Sequence, residues 1–210
     1  MQKRSLKEIF AKETSQPDEN ELFRGLRTRI RLSAPEAKVL LIVSSDEGDG
    51  KTEMSIKLAH SFAAAGKKVL LVDGNMRKGD LKDRLSCETS AAGFEKVLLG
   101  EADVHDAIVP LETRNLYILP IQEPLVASTE ILEMCTLEDV FGPLREIFDY
   151  VIIDSLSLSL GMDAYLLGKI SDGALFVTVE NHTRSVKLRE HRERLDEAEI
   201  PLLGAIMYKK

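Results

Sequence analysis

The segment VLLIVSSDEGDGKT, residues Val39–Thr52, joins a run of apolar residues to a short loop rich in glycine. The run consists of leucine and β-branched residues, which is typical of a strand covered on both faces. Gly48 and Gly50 allow successive backbone N–H groups to curl around an anion, and a helix beginning at Lys51 would direct its positive dipole end at the same point. The segment therefore predicts a phosphate-binding loop between a buried strand and a helix.

The side chains of this loop predict a site for Mg-ATP. Lys51 would reach the β- and γ-phosphates, and the Thr52 hydroxyl would complete the coordination of Mg²⁺. Ser45 stands where the usual Gly-x4-Gly-Lys-Thr pattern begins with glycine, so a chance Gly-Lys-Thr is the alternative. The predicted nucleotide-binding residues of the loop are Asp46, Glu47, Gly48, Asp49, Gly50, Lys51 and Thr52, and we expect the three carboxylates to face solvent.

Apolar runs alternate with helical patterns along the rest of the chain. Strands are predicted at Val39–Ser44, Lys68–Asp73, Tyr150–Asp154, Ala174–Val179 and Leu203–Tyr208. Helices are predicted at Lys51–Ala65, Ser128–Ile147, Gly161–Ile170 and Arg184–Ala198. This alternation predicts an α/β fold with a doubly wound, mainly parallel sheet and helices on both faces. We expect one nucleotide-binding domain over residues 1–210, with an N-terminal helical extension over residues 1–33.

Two of the predicted strands end in an aspartate, at Asp73 and Asp154, and Arg77 follows the first of them. Ligands of open α/β sheets bind beyond the carboxyl ends of the strands. We therefore expect both aspartates to converge on the loop and to hold Mg²⁺ together with Thr52. The alternative for either acid alone is a helix cap after a strand.

Composition narrows the function classes. The 210 residues are 44% apolar and 30% charged, the balance of a soluble globular protein, and the net charge of −7 argues against non-specific nucleic-acid binding. The apolar runs are too short to span a bilayer, and no apolar signal core follows Met1, so we expect a cytoplasmic protein. Cys87 and Cys135 are interpreted as two reduced thiols.

The N-terminal segment Glu19–Leu32 has the pattern of a charged amphipathic helix. Ser15 or Asp18 could cap its start. One interpretation is a helix packed on the edge of the sheet with a solvated basic face, and the other is a role in self-association.

These segments together resemble the bacterial tyrosine kinases of capsule and exopolysaccharide assembly, a branch of the MinD/ParA-like P-loop ATPases. Ser44–Thr52 is similar to their Ser-Ser-x-Pro-Gly-Glu-Gly-Lys-Ser/Thr loop, and Asp73–Arg77 matches part of their Asp-x-Asp-x-Arg signature. Glu21, Arg24 and Arg27 match their Glu-x-x-Arg-x-x-Arg helix, which implies a homo-oligomer.

The resemblance also implies roles for individual residues. Lys51, Asp73 and Asp154 would be catalytic, with Asp73 orienting the attacking hydroxyl or accepting its proton, and Arg77 would contact the nucleotide. Tyr208 falls where the family places an asparagine near the adenine. Asp46 stands where the MinD/ParA ATPases proper keep a lysine, which favours the kinase branch.

Other positions depart from the family pattern. Asn75 replaces the second acid of Asp-x-Asp, and Ser155-Leu156-Ser157 follows Asp154 where the family has Thr-Pro-Pro. The sequence ends at Tyr208-Lys209-Lys210 without a tyrosine-rich tail, so we expect no autophosphorylation of a tail.

Three functions are compatible with these patterns. The first is a Mg-ATP-dependent tyrosine kinase of a surface-polysaccharide system, held at the inner face of the membrane by the cytoplasmic tail of a membrane adaptor, a polysaccharide chain-length regulator. The second is a pseudokinase that binds ATP and regulates a partner, which Asn75 and Tyr208 favour. The third is a MinD/ParA-type positioning ATPase.

Substitution of Lys51 by alanine is expected to weaken ATP binding by roughly 1.5–3 kcal/mol or more, because it removes one charged hydrogen-bonding partner of the phosphates. Isothermal titration calorimetry of both proteins with Mg-ATP measures this loss. Equal affinity in the two would place the phosphate site elsewhere.

Overall fold

The computed structural model describes residues 19–87, 92–180, 183 and 185–208. The predicted capping residues Ser15 and Asp18 lie outside this part of the chain. Within it, seven strands form one sheet: β1 (Val39–Ser44), β2 (Val69–Gly74), β3 (Val109–Pro110), β4 (Leu116–Leu119), β5 (Tyr150–Ser155), β6 (Gly173–Val179) and β7 (Leu202–Tyr208). Their order across the sheet is β3-β4-β2-β5-β1-β6-β7. Every pairing is parallel except that of β3 with β4.

The helices lie on both faces of this sheet. They are α1 (Glu19–Ser33), α2 (Lys51–Ala64), α3 (Leu81–Arg84), α4 (Phe94–Leu98), α5 (Val104–Ala107), α6 (Ser128–Met134), α7 (Leu137–Ile147), α8 (Asp163–Lys169) and α9 (Ser185–Glu197). Alternate residues of β1 belong to different core clusters, since Leu40 packs with Phe23 and Leu58 whereas Leu41 packs with Phe141 and other residues of the opposite face. The predicted doubly wound α/β fold is thus confirmed.

Most predicted elements are present, but three details of the prediction are wrong. The segment Ser128–Ile147 forms two helices, because the backbone is extended at Cys135 and Thr136. Strands β3 and β4 were not predicted, since β4 has only four residues and follows a turn in which Asn115 has φ 66°. The short helices α3, α4 and α5 were also not predicted, as helices of four or five residues leave no periodic pattern.

Helix α1 packs against α2. Phe23 and Ile30 are buried in this contact, while Leu22 is 39% exposed and Leu32 is 80% exposed. The Arg27 guanidinium donates hydrogen bonds to the backbone oxygen and the hydroxyl of Ser61 in α2, the latter at 3.0 Å. The helix is therefore docked on the same face of the sheet as α2.

The strand pairing decides where the polar residues meet. Asp73 of β2 lies directly opposite Asp154 of β5 in the parallel register. Both side chains consequently emerge at the carboxyl edge of the sheet, next to the end of β1, where the loop leading to α2 begins. The helices that the structure describes include none with the length and apolar character that a bilayer crossing requires.

Candidate nucleotide-binding site

The loop between β1 and α2 owes its shape to two glycines. Gly48 and Gly50 have φ values of 81° and 82°, in the left-handed region that residues with a Cβ rarely occupy. Gly50 is the N-cap of α2, so Lys51 and Thr52 form the first turn of the helix. The Asp49 carboxylate accepts a hydrogen bond from the backbone N–H of Asp46 at 2.9 Å and closes the loop on itself. This is the strand–loop–helix geometry that the sequence predicts.

The three loop carboxylates differ in their environment. Glu47 is exposed, and its carboxylate lies 3.9 Å from the Lys78 ammonium. Asp46 is half-buried, and both its oxygens accept hydrogen bonds from Lys187 of α9 at 2.8 Å, which lowers the pKa of Asp46. Asp49 is fully buried and its Oδ1 has no hydrogen-bond partner among the described residues. The prediction that all three face solvent is therefore wrong for Asp49, which shapes the loop from inside.

Lys51 carries its ammonium into the interior, with only 8% of the residue exposed. Nζ donates hydrogen bonds to the Ser44 hydroxyl at 3.0 Å and to the Ser157 hydroxyl at 2.7 Å. Burial lowers the pKa of Lys51, and the charges of Asp154 and Asp49 oppose that shift. The amine is held by two neutral hydroxyls at the head of α2, with carboxylates near enough to favour its charged form.

Among the charged groups around Lys51, Asp154 has the largest effect on its pKa. Its Oδ1 accepts a hydrogen bond from Ser55 at 3.1 Å, and the Thr52 side chain provides another. Burial raises the pKa of Asp154 to about 6, although the Thr52 hydrogen bond and the charge of Lys51 act in the opposite direction. The predicted approach of Lys51, Thr52 and Asp154 to one another is thus observed.

Asp73 lies beside Asp154 on the neighbouring strand and is fully buried. Its carboxylate accepts hydrogen bonds from the backbone N–H groups of Asn75 at 3.3 Å and Leu81 at 3.1 Å. Burial, followed by repulsion from Asp154, raises the pKa of Asp73 to about 8. In the nucleotide-free protein this carboxyl is therefore mostly protonated at neutral pH.

The donor set suits magnesium. Mg²⁺ in nucleotide sites needs one or two protein oxygens, because phosphates and water complete its octahedral shell. The hydrogen bond between Thr52 and Asp154 places a hydroxyl and a carboxylate together at the foot of the loop. Within the described residues, no group of three or more His, Cys, Asp or Glu side chains is arranged to hold a metal ion.

The loop forms one wall of a cleft of about 560 Å³. Residues lining the cleft are Glu47, Gly48, Gly50, Lys51, Thr52, Glu53, Asn75, Arg77, Lys78, Asp80, Arg84, Leu156, Ser157 and Leu160. Asp73 and Asp154 lie beneath this surface rather than in it. Glu21, Arg24 and Arg27 of α1 are not among the residues that line the cleft, and their role in self-association stays a prediction.

Asp80 is a cleft residue that sequence reasoning missed. Its Oδ2 lies 3.1 Å from both Lys78 Nζ and Arg84 Nε. Burial alone would raise the pKa of Asp80, but these two cations outweigh it and hold the pKa below its ordinary value. The Asp80 charge in turn raises the pKa values of Asp73 and Asp154. The sequence does contain a signal for Asp80, because the residue follows a strand that ends in an aspartate. The loop after such a strand borders the carboxyl edge of the sheet, where ligands bind.

Arg77 forms an ion pair and hydrogen bonds that its sequence motif does not predict. The guanidinium is 3.2 Å from the buried carboxylate of Asp163 and also donates to Ser128 and Thr129, at 3.2 and 3.1 Å. It thereby ties the loop after β2 to the first turns of α6 and α8. Contact with the nucleotide remains a prediction for Arg77, as it does for Tyr208, whose backbone pairs with Val179 at the end of β7 and whose side chain lies outside the described atoms.

A parallel sheet with a glycine loop at the head of α2, a buried lysine, and two acids at the adjoining strand ends defines a P-loop nucleotide-binding protein. The AAA domain family matches residues 37–187. Tyrosine-protein kinase CpsD of Streptococcus agalactiae is 30% identical over 189 residues, which cover 90% of this chain and 82% of that protein. The chain belongs to the bacterial tyrosine kinase family of capsule and exopolysaccharide biosynthesis, within the MinD/ParA-related P-loop ATPases.

Two solved structures extend this comparison. The chimaeric protein CapA2B2 is 25% identical, with a TM-score of 0.83 over 90% of this chain and 85% of that one. The septum site-determining protein MinD of Pyrococcus horikoshii, complexed with Mg-ADP, is 26% identical, with a TM-score of 0.71 over 81% of this chain and 69% of that one. The recognition made from the motifs is thus confirmed, including its MinD/ParA relationship.

The raised pKa of Asp73 predicts how stability depends on pH. The pKa is about 8 in the folded protein against 3.8 ordinarily, so the folded state binds more protons between these values and the free energy of unfolding falls as pH rises. The slope for one group is at most about 1.4 kcal/mol per pH unit. Urea denaturation of the nucleotide-free protein from pH 7 to 8, above the pKa of about 6 of Asp154, should show a shallower slope in Asp73→Asn. The exposed control Asp106→Asn should keep the parent slope, and an unchanged slope in Asp73→Asn would contradict the assignment.

Proposed function

We propose that this protein is a tyrosine kinase of a surface-polysaccharide system, which binds Mg-ATP in the cleft and transfers its γ-phosphate to tyrosine side chains of proteins. The single observation that carries the proposal is the buried Lys51 ammonium, which stands at the head of α2 beside the Thr52–Asp154 pair. Family membership supports the acceptor class, since the relative from S. agalactiae is named a tyrosine-protein kinase. We also propose that residues 1–210 form one nucleotide-binding domain with a helical extension at residues 1–33.

The residues of the site would divide the work of phosphoryl transfer, which depends mainly on positioning and charge neutralisation. The loop backbone and the α2 N-terminus hold phosphates, and Lys51 donates charged hydrogen bonds to the outer ones. Bound Mg²⁺, held by Thr52 and Asp154, would supply further neutralisation of phosphate charge. Asp73 would orient the attacking tyrosine hydroxyl, and it would accept the hydroxyl proton once the positive charge of Mg²⁺ has lowered its pKa from about 8 and ionised the carboxyl.

Asn75 favours a second candidate, a pseudokinase that binds ATP and regulates a partner without transferring phosphate. Asn75 lines the cleft, and its Oδ1 is buried without a hydrogen-bond partner among the described residues. An amide there supplies no carboxylate, in contrast with the acid of the family signature. The third candidate, a positioning ATPase, has only the MinD likeness in its favour.

A transfer assay separates the first two candidates. Purified protein is incubated with labelled Mg-ATP and a glutamate–tyrosine copolymer as acceptor, and phosphotyrosine and ADP are measured. We expect transfer by the parent protein and a loss of about 10²–10⁴-fold in Asp73→Asn, the usual contribution of a general base, with ATP affinity retained. Asp106→Asn is the matched control and should transfer normally.

The other outcomes are equally informative. ATP binding without phosphotyrosine or ADP would favour the pseudokinase. Failure to bind Mg-ATP at millimolar concentration would contradict both. Repeating the assay with the cytoplasmic tail of a polysaccharide chain-length regulator tests the proposed membrane adaptor, which would hold this cytoplasmic protein at the inner face of the membrane.

Self-association through α1 belongs to the same proposal. Glu21 and Arg24 are exposed on α1 and available to a second copy, whereas Arg27 is engaged with Ser61 of its own α2. Arg27→Ala would therefore disturb the monomer as well as an interface, so Arg24 is the cleaner site to change.

Arg24→Ala is expected to shift the protein toward monomer in Mg-ATP, because it removes a charged interface contact while leaving the cleft intact. Light scattering measures the mass. Arg29→Ala, an exposed arginine of the same helix outside the Glu-x-x-Arg-x-x-Arg motif, is the control and should keep the parent mass. An Arg24→Ala protein with the parent mass would remove the self-association role.

A further inference from the structure

Ser157 lies next to Lys51, the phosphate-binding lysine. The proposed kinase mechanism gives Ser157 no role. The residue is 2% exposed, its Oγ lies 2.7 Å from Lys51 Nζ, and it lines the cleft. The family signature places a proline here, which offers no hydroxyl. A hydroxyl in this environment is therefore a feature of this chain.

The Ser157 hydroxyl has a hydrogen-bond donor that the neighbouring residues do not use. Ser44, the other partner of Lys51, accepts from the ammonium and donates its own hydrogen to the backbone oxygen of Asp46 at 2.9 Å. Both its roles are occupied. Ser157 accepts from Lys51 in the same way, but its own hydrogen has no acceptor among the described residues. Since the oxygen already faces the ammonium, the hydrogen can be donated into the cleft.

The segment that carries Ser157 is held in place by its neighbours. The Ser155 hydroxyl donates to the backbone oxygen of Ile42 at 2.7 Å, and the backbone N–H groups of Leu158 and Ser159 donate to Ser44 and Ser45 at 3.0 and 3.2 Å. The turn after β5 is thus bonded directly to the start of the phosphate-binding loop. Ser157 is positioned before any ligand arrives, which is the condition for an effective polar contact.

We propose that Ser157 binds the terminal phosphate of the nucleoside triphosphate and positions Lys51 for the same group. Its oxygen fixes the ammonium, and its hydrogen is donated to a γ-phosphate oxygen. The contact falls on the γ-phosphate because the glycine loop surrounds the phosphates nearest to α2, while the tip of the Lys51 side chain reaches the outer ones. The proposal rests on the proposed binding of Mg-ATP in this cleft.

The consequence is discrimination between triphosphate and diphosphate. ADP lacks the group to which Ser157 donates, so loss of the hydroxyl should weaken ATP binding selectively. A merely structural role would weaken both nucleotides alike, since the loop that both require would be disturbed.

The test is calorimetric titration of Ser157→Ala with Mg-ATP and Mg-ADP. We expect the Kd for ATP to rise about tenfold, the effect of one hydrogen bond to a charged group, and the Kd for ADP to change less than about threefold. Ser157→Thr keeps the hydroxyl and should recover most of the preference for ATP. Ser171→Ala, a half-buried serine whose hydroxyl bonds to Gly168 at the end of α8, should match the parent protein.

Equal losses for ATP and ADP, or an ATP affinity that is unchanged or higher, would overturn the role of Ser157. If Lys51→Ala loses ATP binding while Ser157→Ala does not, the cleft keeps its proposed function and only the Ser157 contact fails. If the parent protein binds neither nucleotide, the proposed function fails and this contact fails with it. Thermal unfolding of Ser157→Ala should give the parent Tm within a few degrees. If Ser157→Ala is misfolded, Ser157→Thr is titrated with both nucleotides in its place. Loss of the preference for ATP in Ser157→Thr would then contradict the proposed contact.

Discussion

Everything in the site depends on one ammonium group being kept out of water. Lys51 is buried at the head of a helix, and an isolated charge there would cost many kilocalories per mole. Two serine hydroxyls and the nearby charge of Asp154 make its burial tolerable, but the compensation is incomplete, because burial lowers the pKa of Lys51 and raises that of Asp154. A polyphosphate with its magnesium ion would supply charges of both signs next to Lys51 and Asp154.

The sheet makes this arrangement possible. Strands β1, β2, β5 and β6 are buried along their whole length, with core residues above and below them. Such strands cannot slide without moving an apolar side chain out of one of the two cores. The register that sets Asp73 opposite Asp154 is consequently fixed by packing far from the cleft. The close contact of β2 with β5 at Gly74 also stabilises this register. A Cβ at Gly74 would lie 2.8 Å from an Ile153 methyl and 2.9 Å from the Asp154 backbone oxygen.

The distribution of acids around the cleft sets this chain apart from the family signature. Asn75 removes a carboxylate from the loop after β2, yet Asp80 places one in the same loop, where it lines the cleft and is held ionised by Lys78 and Arg84. Arg77, in turn, is committed to the buried Asp163. The kinase and pseudokinase alternatives differ in whether the site preserves proton transfer with an amide at position 75.

Local sequence patterns are sufficient to predict the class of fold, the location of the phosphate-binding loop and the two strand-end acids. These features are local: glycine is required at particular φ angles, apolar runs mark buried strands, and parallel strands share a carboxyl edge. Long-range packing determines that Asp49 is buried, that Arg77 bonds to Asp163, that Arg27 bonds to Ser61, and that Ser157 and Asp80 border the cleft. These features involve residues that lie between 34 and 106 positions apart in the chain, or they follow from the burial of a loop. Hydrophobic periodicity and local motifs do not indicate which distant side chains the folded chain brings into contact.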